Sequence, residues 1–415
     1  MPSTRRNKRQ DFSESDLKNL RHFKKLTGLL QRLHSVAAAR DKSGNRELYY
    51  DNYVCLLLLA YFNPIITSLR ALEQASKMGK VQKRLSFNGT SLASLSECAG
   101  LFDSALLREI VQEVAVKVAA KARQNKKIDG ISQREVEALQ GLTAVDGTLL
   151  KALPRMEWSL CCPGHNAVKM HLQFSVLTGA PSDALITKGS GSEINALKEN
   201  LLPGRMYVMD RGYISFPLFS KIIAAKSSLI ARIHEDVAFE VQEERDLSKD
   251  AREAGVIHDY ILSRVGTDHR KNHFKHPMRL VIVEFEKQDQ SKTKLYLLTD
   301  RLDIDAQTVA LGYRFRWSIE LYFRWLKCTV GCRHLFSENL NGISIQCYSA
   351  LIAGLMVSLW TGLKLNKRTW EMVQLYILGW ATLTEVEDHI HKRRLQEEKK
   401  AIKKQPEKPW YFAAP

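Results

Sequence analysis

Apolar residues recur at helical spacing through Tyr53–Tyr61 and again through Leu106–Val118. Residues 11 to about 135 therefore read as helices. Asn63-Pro64 closes the first of those runs. Ala119–Glu135 is polar and charged, and reads as a linker. At about residue 141 the period changes. Leu142-Thr143-Ala144-Val145 is a short apolar run that ends at Asp146-Gly147-Thr148. Lys169–Leu177 alternates as a strand, Thr178–Asp183 has turn chemistry, and Ala184–Thr187 reads as the return strand. Glu193–Leu202 reads as a helix stopped by Pro203-Gly204. Met206–Met209 reads as a buried strand ending at Asp210-Arg211-Gly212-Tyr213. A helix over Phe216–Ala225 and a strand over Leu229–Ile233 follow. That order predicts an α/β fold with a mixed sheet flanked by helices.

The next stretch breaks the rhythm. Val237–Val241, Tyr260–Val265, Arg279–Phe285 and Lys294–Leu298 are strand-like and separated by polar loops, so residues 236–300 read as a β-rich insertion. From Asp303 the pattern is helical again. Ile343–Gly362 is nearly apolar enough to span a bilayer. Ser344, Gln346, Ser349 and Ser358 interrupt it, so it reads as a helix buried in a large core, and no membrane role is expected. The domain reading is a helical DNA-binding region over 1–135 and a core over 136–235 and 301–365. The insertion interrupts that core, and a basic helical tail fills 366–415.

Charge then narrows the partners. Lys and Arg number 62 against 45 Asp and Glu, a net charge of +17. An excess of that sign suits a polyanion, nucleic acid first. Arg5, Arg6, Lys8 and Arg9 crowd the first ten residues, and Lys77, Lys80, Lys83 and Arg84 form a second basic patch. No apolar stretch follows the first group, so it is not a secretion signal. The seven cysteines are an odd number in a long chain, which excludes a disulfide scaffold and fits a reducing, intracellular compartment. No phosphate-cradling GxxxxGK[ST] loop is present, which argues against an NTPase.

Asp146 and Asp210 each end a short buried run before a glycine. In an open sheet, residues just past strand ends line the crevice where chemistry happens, although turn-forming and capping aspartates collect there too. A third acid stands in a more specific setting. At helical spacing, Tyr313, Arg316, Glu320, Arg324 and Lys327 fall on one stripe, and Phe315, Ile319, Tyr322 and Leu326 on the opposite one. A solvated face with an ion pair such as Glu320–Arg324 explains the stripe in one way. A phosphate backbone held beside a divalent metal explains it in another, because carboxylates are hard oxygen ligands and two metals can serve a phosphodiester.

The spacing Tyr313-x2-Arg316-x3-Glu320-x6-Lys327 resembles the signature around the third acid of bacterial DDE transposases of the IS-four family. Asp146-Gly147-Thr148 and Asp210-Arg211-Gly212-Tyr213 resemble that family's first and second acid motifs. The resemblance covers about residues 140 to 360. It implies a ribonuclease-H-like core with Asp146 on its first strand, Asp210 after its fourth, and Glu320 on a helix beyond a β insertion. It implies two Mg²⁺ ions, with Mn²⁺ able to substitute, held by Asp146, Asp210 and Glu320. Tyr313, Arg316 and Lys327 would hold DNA phosphates near the cut, with Arg211 and Arg324 as further candidates. The implied reaction excises an element flanked by inverted repeats and joins its 3′-hydroxyl ends to target DNA. The implied partners are double-stranded DNA and a second copy of the chain on paired ends, in a prokaryotic cytoplasm at the nucleoid.

Relatives that cut through a DNA hairpin can hold a flipped base on a tryptophan in the insertion. Residues 215–300 contain no Trp; Tyr260, Phe274 and Phe285 are the bulky aromatics near strands there. Two other readings stay open. One is an inactive relative that binds DNA, and the other a metal-dependent nuclease that cuts without joining.

Overall fold

The computed structural model describes residues 30–35, 47–85, 87–124, 131–266, 273–274, 276–286 and 290–403. The basic segment over residues 1–10 and the end of the tail beyond Lys403 lie outside the described residues. The chain forms two compact units. One holds the described residues up to Val114 together with Trp325–His391; the other holds Ala115–Arg324 and the residues from Lys392 on.

The first unit is helical and is built around the helix Leu340–Thr361. Its faces are buried nearly all round, as an apolar run without a polar stripe requires. It is the one described helix long and apolar enough to cross a membrane, and 94% of that span is buried within the protein. Helices Tyr50–Phe62 and Leu92–Leu101 pack on it. Three of its four polar interruptions have partners: the Gln346 side chain accepts from Phe336 N (2.8 Å) and donates to the His334 carbonyl, and the Ser344 and Ser349 hydroxyls donate to carbonyls one turn back, while the buried Ser358 hydroxyl has none among the described residues. Asn341 Nδ2 donates to the Ala99 and Phe102 carbonyls and so closes the end of Leu92–Leu101. Lys77, Lys80 and Lys83 are exposed in this unit.

The second unit is a mixed sheet with helices. Its strands are β1 (Leu142–Lys151), β2 (Leu160–Cys162), β3 (His165–Ser175), β4 (Ala180–Lys188), β5 (Met206–Met209), β6 (Ser228–Ile233), β7 (Phe239–Glu244), β8 (Val256–Gly266), β9 (His273–Phe274), β10 (Met278–Glu286) and β11 (Lys292–Thr299). They run in the order β2-β3-β1-β5-β6-β11-β10-β8-β7, with β4 on β3 and β9 on β8. β1, β3 and β4 pair antiparallel through short connections. β5 and β6 lie parallel to β1 and to each other, and parallel neighbours need crossovers. Helix α1 (Glu193–Glu199) supplies the first and α2 (Phe216–Ala224) the second. β5 is buried at all four positions, which is why Met206–Met209 is continuously apolar. Val145, Leu197, Tyr207, Met209, Leu218 and Ile222 form part of the core between sheet and helices.

The strands read as an insertion do not stand apart: β11 pairs antiparallel with β6, and β10, β8 and β7 follow, so one sheet continues through them. This half is fastened by a buried ion pair. Arg279 Nε and Nη2 reach the two oxygens of Asp259 at 2.7 Å each, and Nη1 donates to the Ile304 carbonyl at 2.5 Å. That last bond fixes the loop entering α3 (Ala306–Arg314). Gly312 lets α3 pack closely on β6, since a Cβ there would meet Ile230 Cδ1 at 2.8 Å and that side chain would have to shift.

Two expectations need correction. β1 does not end at Asp146; it runs on to Lys151, because its antiparallel pairing with β3 continues from Thr143 to Lys151 after β5 has stopped. Nor is Tyr313–Lys327 one regular helix. The backbone tightens at Phe315–Arg316, where Arg316 N bonds to Tyr313 O and Ile319 N to Arg316 O, three residues back rather than four. Ser318 Oγ donates to the Phe315 carbonyl at 2.7 Å, the kind of side-chain competition that bends helices. Helix α4 (Trp317–Trp325) starts after that step.

Candidate active site

The sheet itself brings two acids together. The parallel register of β1 and β5 pairs Leu142 with Met206, Thr143 with Tyr207 and Ala144 with Val208. Carried two residues further, it sets Asp146 beside Asp210, the residue directly after β5. In parallel strands, residues in register point to the same face. Asp210 is the N-cap of the short turn Arg211–Tyr213, and its Oδ1 accepts from Gly212 N at 2.9 Å. Asp146 Oδ1 accepts from Gly147 N at 2.7 Å. Each aspartate therefore has one oxygen held by backbone.

The third acid arrives on α4. Glu320 Oε1 lies 2.5 Å from Arg316 Nη2, and Arg316 Nη1 lies 3.9 Å from Asp146 Oδ2. One guanidinium thus lies between a strand acid and a helix acid. The tightening at Phe315–Arg316 does not break the Arg316–Glu320 spacing, so Glu320 takes Arg316 one turn earlier as its partner. Tyr313, buried at the end of α3, shares hydrogen bonds with Arg316 and Arg232, and burial raises its phenol above the usual range.

The electrostatics follow from this crowding. Burial, then the charges of Asp210 and Glu193, push the Asp146 carboxyl up to about 7, against the opposing pull of the Gly147 N–H and Arg316. Tyr213 lies beneath, fully buried, and is raised by burial and then by Glu193, Asp146 and Asp210. The site is short of positive charge even with Arg316 in it. Among the described residues, no three His, Cys, Asp or Glu side chains stand close enough together to hold a metal ion. The donors are nonetheless of the right kind: carboxylate oxygens suit a hard divalent cation, and Asp146, midway along β1, feels the charge of Asp210, just past the end of β5.

Arg211 is exposed in the turn after Asp210, and Arg324 is exposed on α4. Lys327 lies in the next turn, Leu326–Val330, which belongs to the helical unit, and burial lowers its ammonium. One residue of the site was not expected from sequence. Glu193 opens α1, and its carboxylate pairs with Lys169 Nζ at 3.2 Å. Its sequence setting, after Ser190-Gly191-Ser192, signals a helix cap, and Ser192 does cap α1 by accepting from Asn195 N; nothing local signals its reach to β1.

Acids gathered on two adjacent parallel strands where β5 stops, beside a cation-bearing helix, define an α/β protein with an acid site at the edge of its parallel pairing. The comparisons agree. The sequence model of the family described as Transposase DDE domain matches residues 137–356, more than half of the chain. The chain belongs to that family. It is 22% identical over 223 residues to "Probable transposase for insertion sequence element IS5377" of Geobacillus stearothermophilus, covering 54% of this chain and 57% of that protein. It is 24% identical over 228 residues to the transposase-named protein y4zB of Sinorhizobium fredii, covering 55% and 62%. A Synechocystis protein, named as a transposase for insertion sequence element IS4SA, is 24% identical over 294 residues, 69% of this chain and 77% of that one. The match thus spans less than two thirds of the first two relatives. Among solved structures, a piggyBac transposase synaptic complex with hairpin DNA aligns over 91% of this chain and 84% of that chain. Its identity is 13% and its TM-score 0.35, too low to speak to this fold.

Proposed function

We propose that this chain is a DDE transposase that cleaves DNA at the ends of a mobile element and transfers the freed 3′-hydroxyl ends into target DNA, in cut-and-paste transposition. The observation that carries the reading is the β1–β5 register that sets Asp146 beside Asp210, with Arg316 linking Asp146 to Glu320. The topology supports a ribonuclease-H-like core: three antiparallel strands, then two parallel ones through helical crossovers, in the order β4-β3-β1-β5-β6.

Asp146, Asp210 and Glu320 would hold two divalent cations, Mg²⁺ with Mn²⁺ as substitute. Such ions supply Lewis-acid stabilisation to the phosphodiester and to its attacking and leaving oxygens. The chain's own part is electrostatic and positional. The Gly147 and Gly212 N–H groups fix one oxygen of each aspartate and leave the other for a cation. Arg316 offsets part of the acids' charge in the free protein, and its fork suits bidentate grip of a DNA phosphate. Tyr313 orients Arg316, while Lys327, Arg211 and Arg324 hold further phosphates. The exposed lysines of the helical unit and the net charge support contact with double-stranded DNA, terminal inverted repeats and target alike. A second copy would complete the complex on paired ends, working at the nucleoid in the cytoplasm.

The test is end cleavage by purified wild type and Glu320→Ala, on a duplex carrying the element's end, with Mg²⁺ or with EDTA. A cut that needs the metal and is lost in the variant is expected. Cleavage that persists in EDTA or in the variant would refute the reading. Cutting without any strand-transfer product would leave a nuclease.

A further inference from the structure

We propose that Glu193 is a fourth acid of this site, a positioning residue that seats Asp146 and that Lys169 holds in place; this rests on the transposase reading above. The Glu193 backbone is fixed as the first residue of α1 by the Ser192 cap. Its side chain reaches across to β1. A Cβ built on Gly147 would lie 2.5 Å from Glu193 Oε1 and 2.8 Å from its Cδ, so the carboxylate fills the space a side chain at 147 would take. Gly147 is the neighbour of Asp146, and its N–H holds Asp146 Oδ1 at 2.7 Å.

From the other side, Lys169 Nζ grips Glu193 at 3.2 Å, with both side chains largely buried. Lys169 stands on β3, two residues from His171, which is paired with Gly147 in the β1–β3 register. The contacts therefore run from Lys169 to Glu193 to Gly147 to the Asp146 carboxylate. An acid in a helix's first turn is favoured by the macrodipole, but that preference does not account for a carboxylate reaching over Gly147 to a lysine on β3. α1 also leads into β5, the strand that ends at Asp210, so the same residue links the segments carrying both strand acids. Glu193 further adds the negative charge that a divalent cation would find there.

The test uses full-length protein with Glu193→Gln, Gly147→Ala and their double variant. Three quantities are read: melting temperature, Mn²⁺ affinity by electron paramagnetic resonance, and end-cleavage rate beside DNA affinity. The Cβ of Gly147→Ala meets the flexible end of Glu193, so it displaces the carboxylate while leaving the fold intact. Each single variant is expected to weaken Mn²⁺ binding and slow cleavage by roughly 10–100-fold, with DNA affinity and melting temperature unchanged. The double variant should be no worse than either single, and Glu193→Asp should recover part of the loss. Wild-type Mn²⁺ affinity in Glu193→Gln, or fully additive losses in the double, would overturn the proposal. If wild type itself fails to cut, the transposase reading falls, and the Mn²⁺ affinities still decide the role of Glu193.

Discussion

Arg279 and Arg316 both belong to the sheet unit and both bind carboxylates, but their surroundings differ. Arg279 is 1% exposed, forks onto both oxygens of Asp259, and spends a further nitrogen on the Ile304 carbonyl. Arg316 is 14% exposed, with one nitrogen close to Glu320 and another 3.9 Å from Asp146, and Asp146 also feels the charges of Asp210 and Glu193. The first arrangement is closed and the second is under-neutralised. A closed pair holds a fold together; an under-neutralised one can exchange its cation for a metal ion or yield it to a phosphate.

The comparison breaks most visibly in stability. Arg279→Met leaves Asp259 as a lone buried charge, which should cost about 3–5 kcal/mol in urea unfolding. Replacing both partners, as Arg279→Met with Asp259→Leu, should restore most of that loss. Arg316→Met should cost clearly less than Arg279→Met, because the Asp146 and Glu320 side chains are 21% and 29% exposed and Asp146 can take up a proton when the cation is removed. If the two single variants were equally destabilised, Arg316 would be a structural residue like Arg279.

Activity should divide the other way. Asp210→Asn and Glu320→Gln are expected to slow end cleavage by roughly 10²–10³-fold, the loss typical of removing one preorganised electrostatic group. Their melting temperatures should stay near wild type. Arg279→Met protein that remains folded should cut normally. Cleavage kinetics beside calorimetry on the same preparations would check both halves.

The two regions also differ in how far they were legible. The stripe Tyr313–Lys327 could be read because its spacing is local, and the apolar run at Ile343–Gly362 could be read as a buried helix because Ser344, Gln346, Ser349 and Ser358 interrupt it. The side-by-side placement of Asp146 and Asp210 could not, since the register of parallel strands is set by crossovers and core packing far along the chain. The same cause hid the full length of β1: Asp146-Gly147-Thr148 has turn chemistry, yet β3 pairs with it and keeps it extended. Glu193 was hidden behind its cap signal. The Arg279–Asp259 pair was invisible because its partners stand on β10 and β8, whose pairing no local pattern announces.

The smallest expected effect is a pH dependence that sets the site against its surroundings. Asp146 is pushed up to about 7 in the folded chain, mainly by burial, against about 3.9 in an unfolded one. Between those values the folded state keeps a proton that the unfolded state has lost, so stability falls as pH rises from about 4 to 7. His171 is lowered to about 4 by burial and Lys169. Between about 4 and 6.5 the unfolded state binds the extra proton, so His171 makes stability rise with pH over that window. The two slopes oppose each other in wild type and flatten its curve. Asp146→Asn removes one of them. The variant should gain on wild type progressively from pH 4 to 7, by on the order of 1–3 kcal/mol. His171→Gln should show the opposite, a steeper fall. Mg²⁺ offers the sharper version of the test, because a cation held by Asp146 favours the deprotonated form. It should raise the melting temperature of wild type near pH 7 and leave Asp146→Asn nearly unmoved. An equal rise in both proteins would mean that the cation binds elsewhere, and that the crowding around Asp146 is not there to receive it.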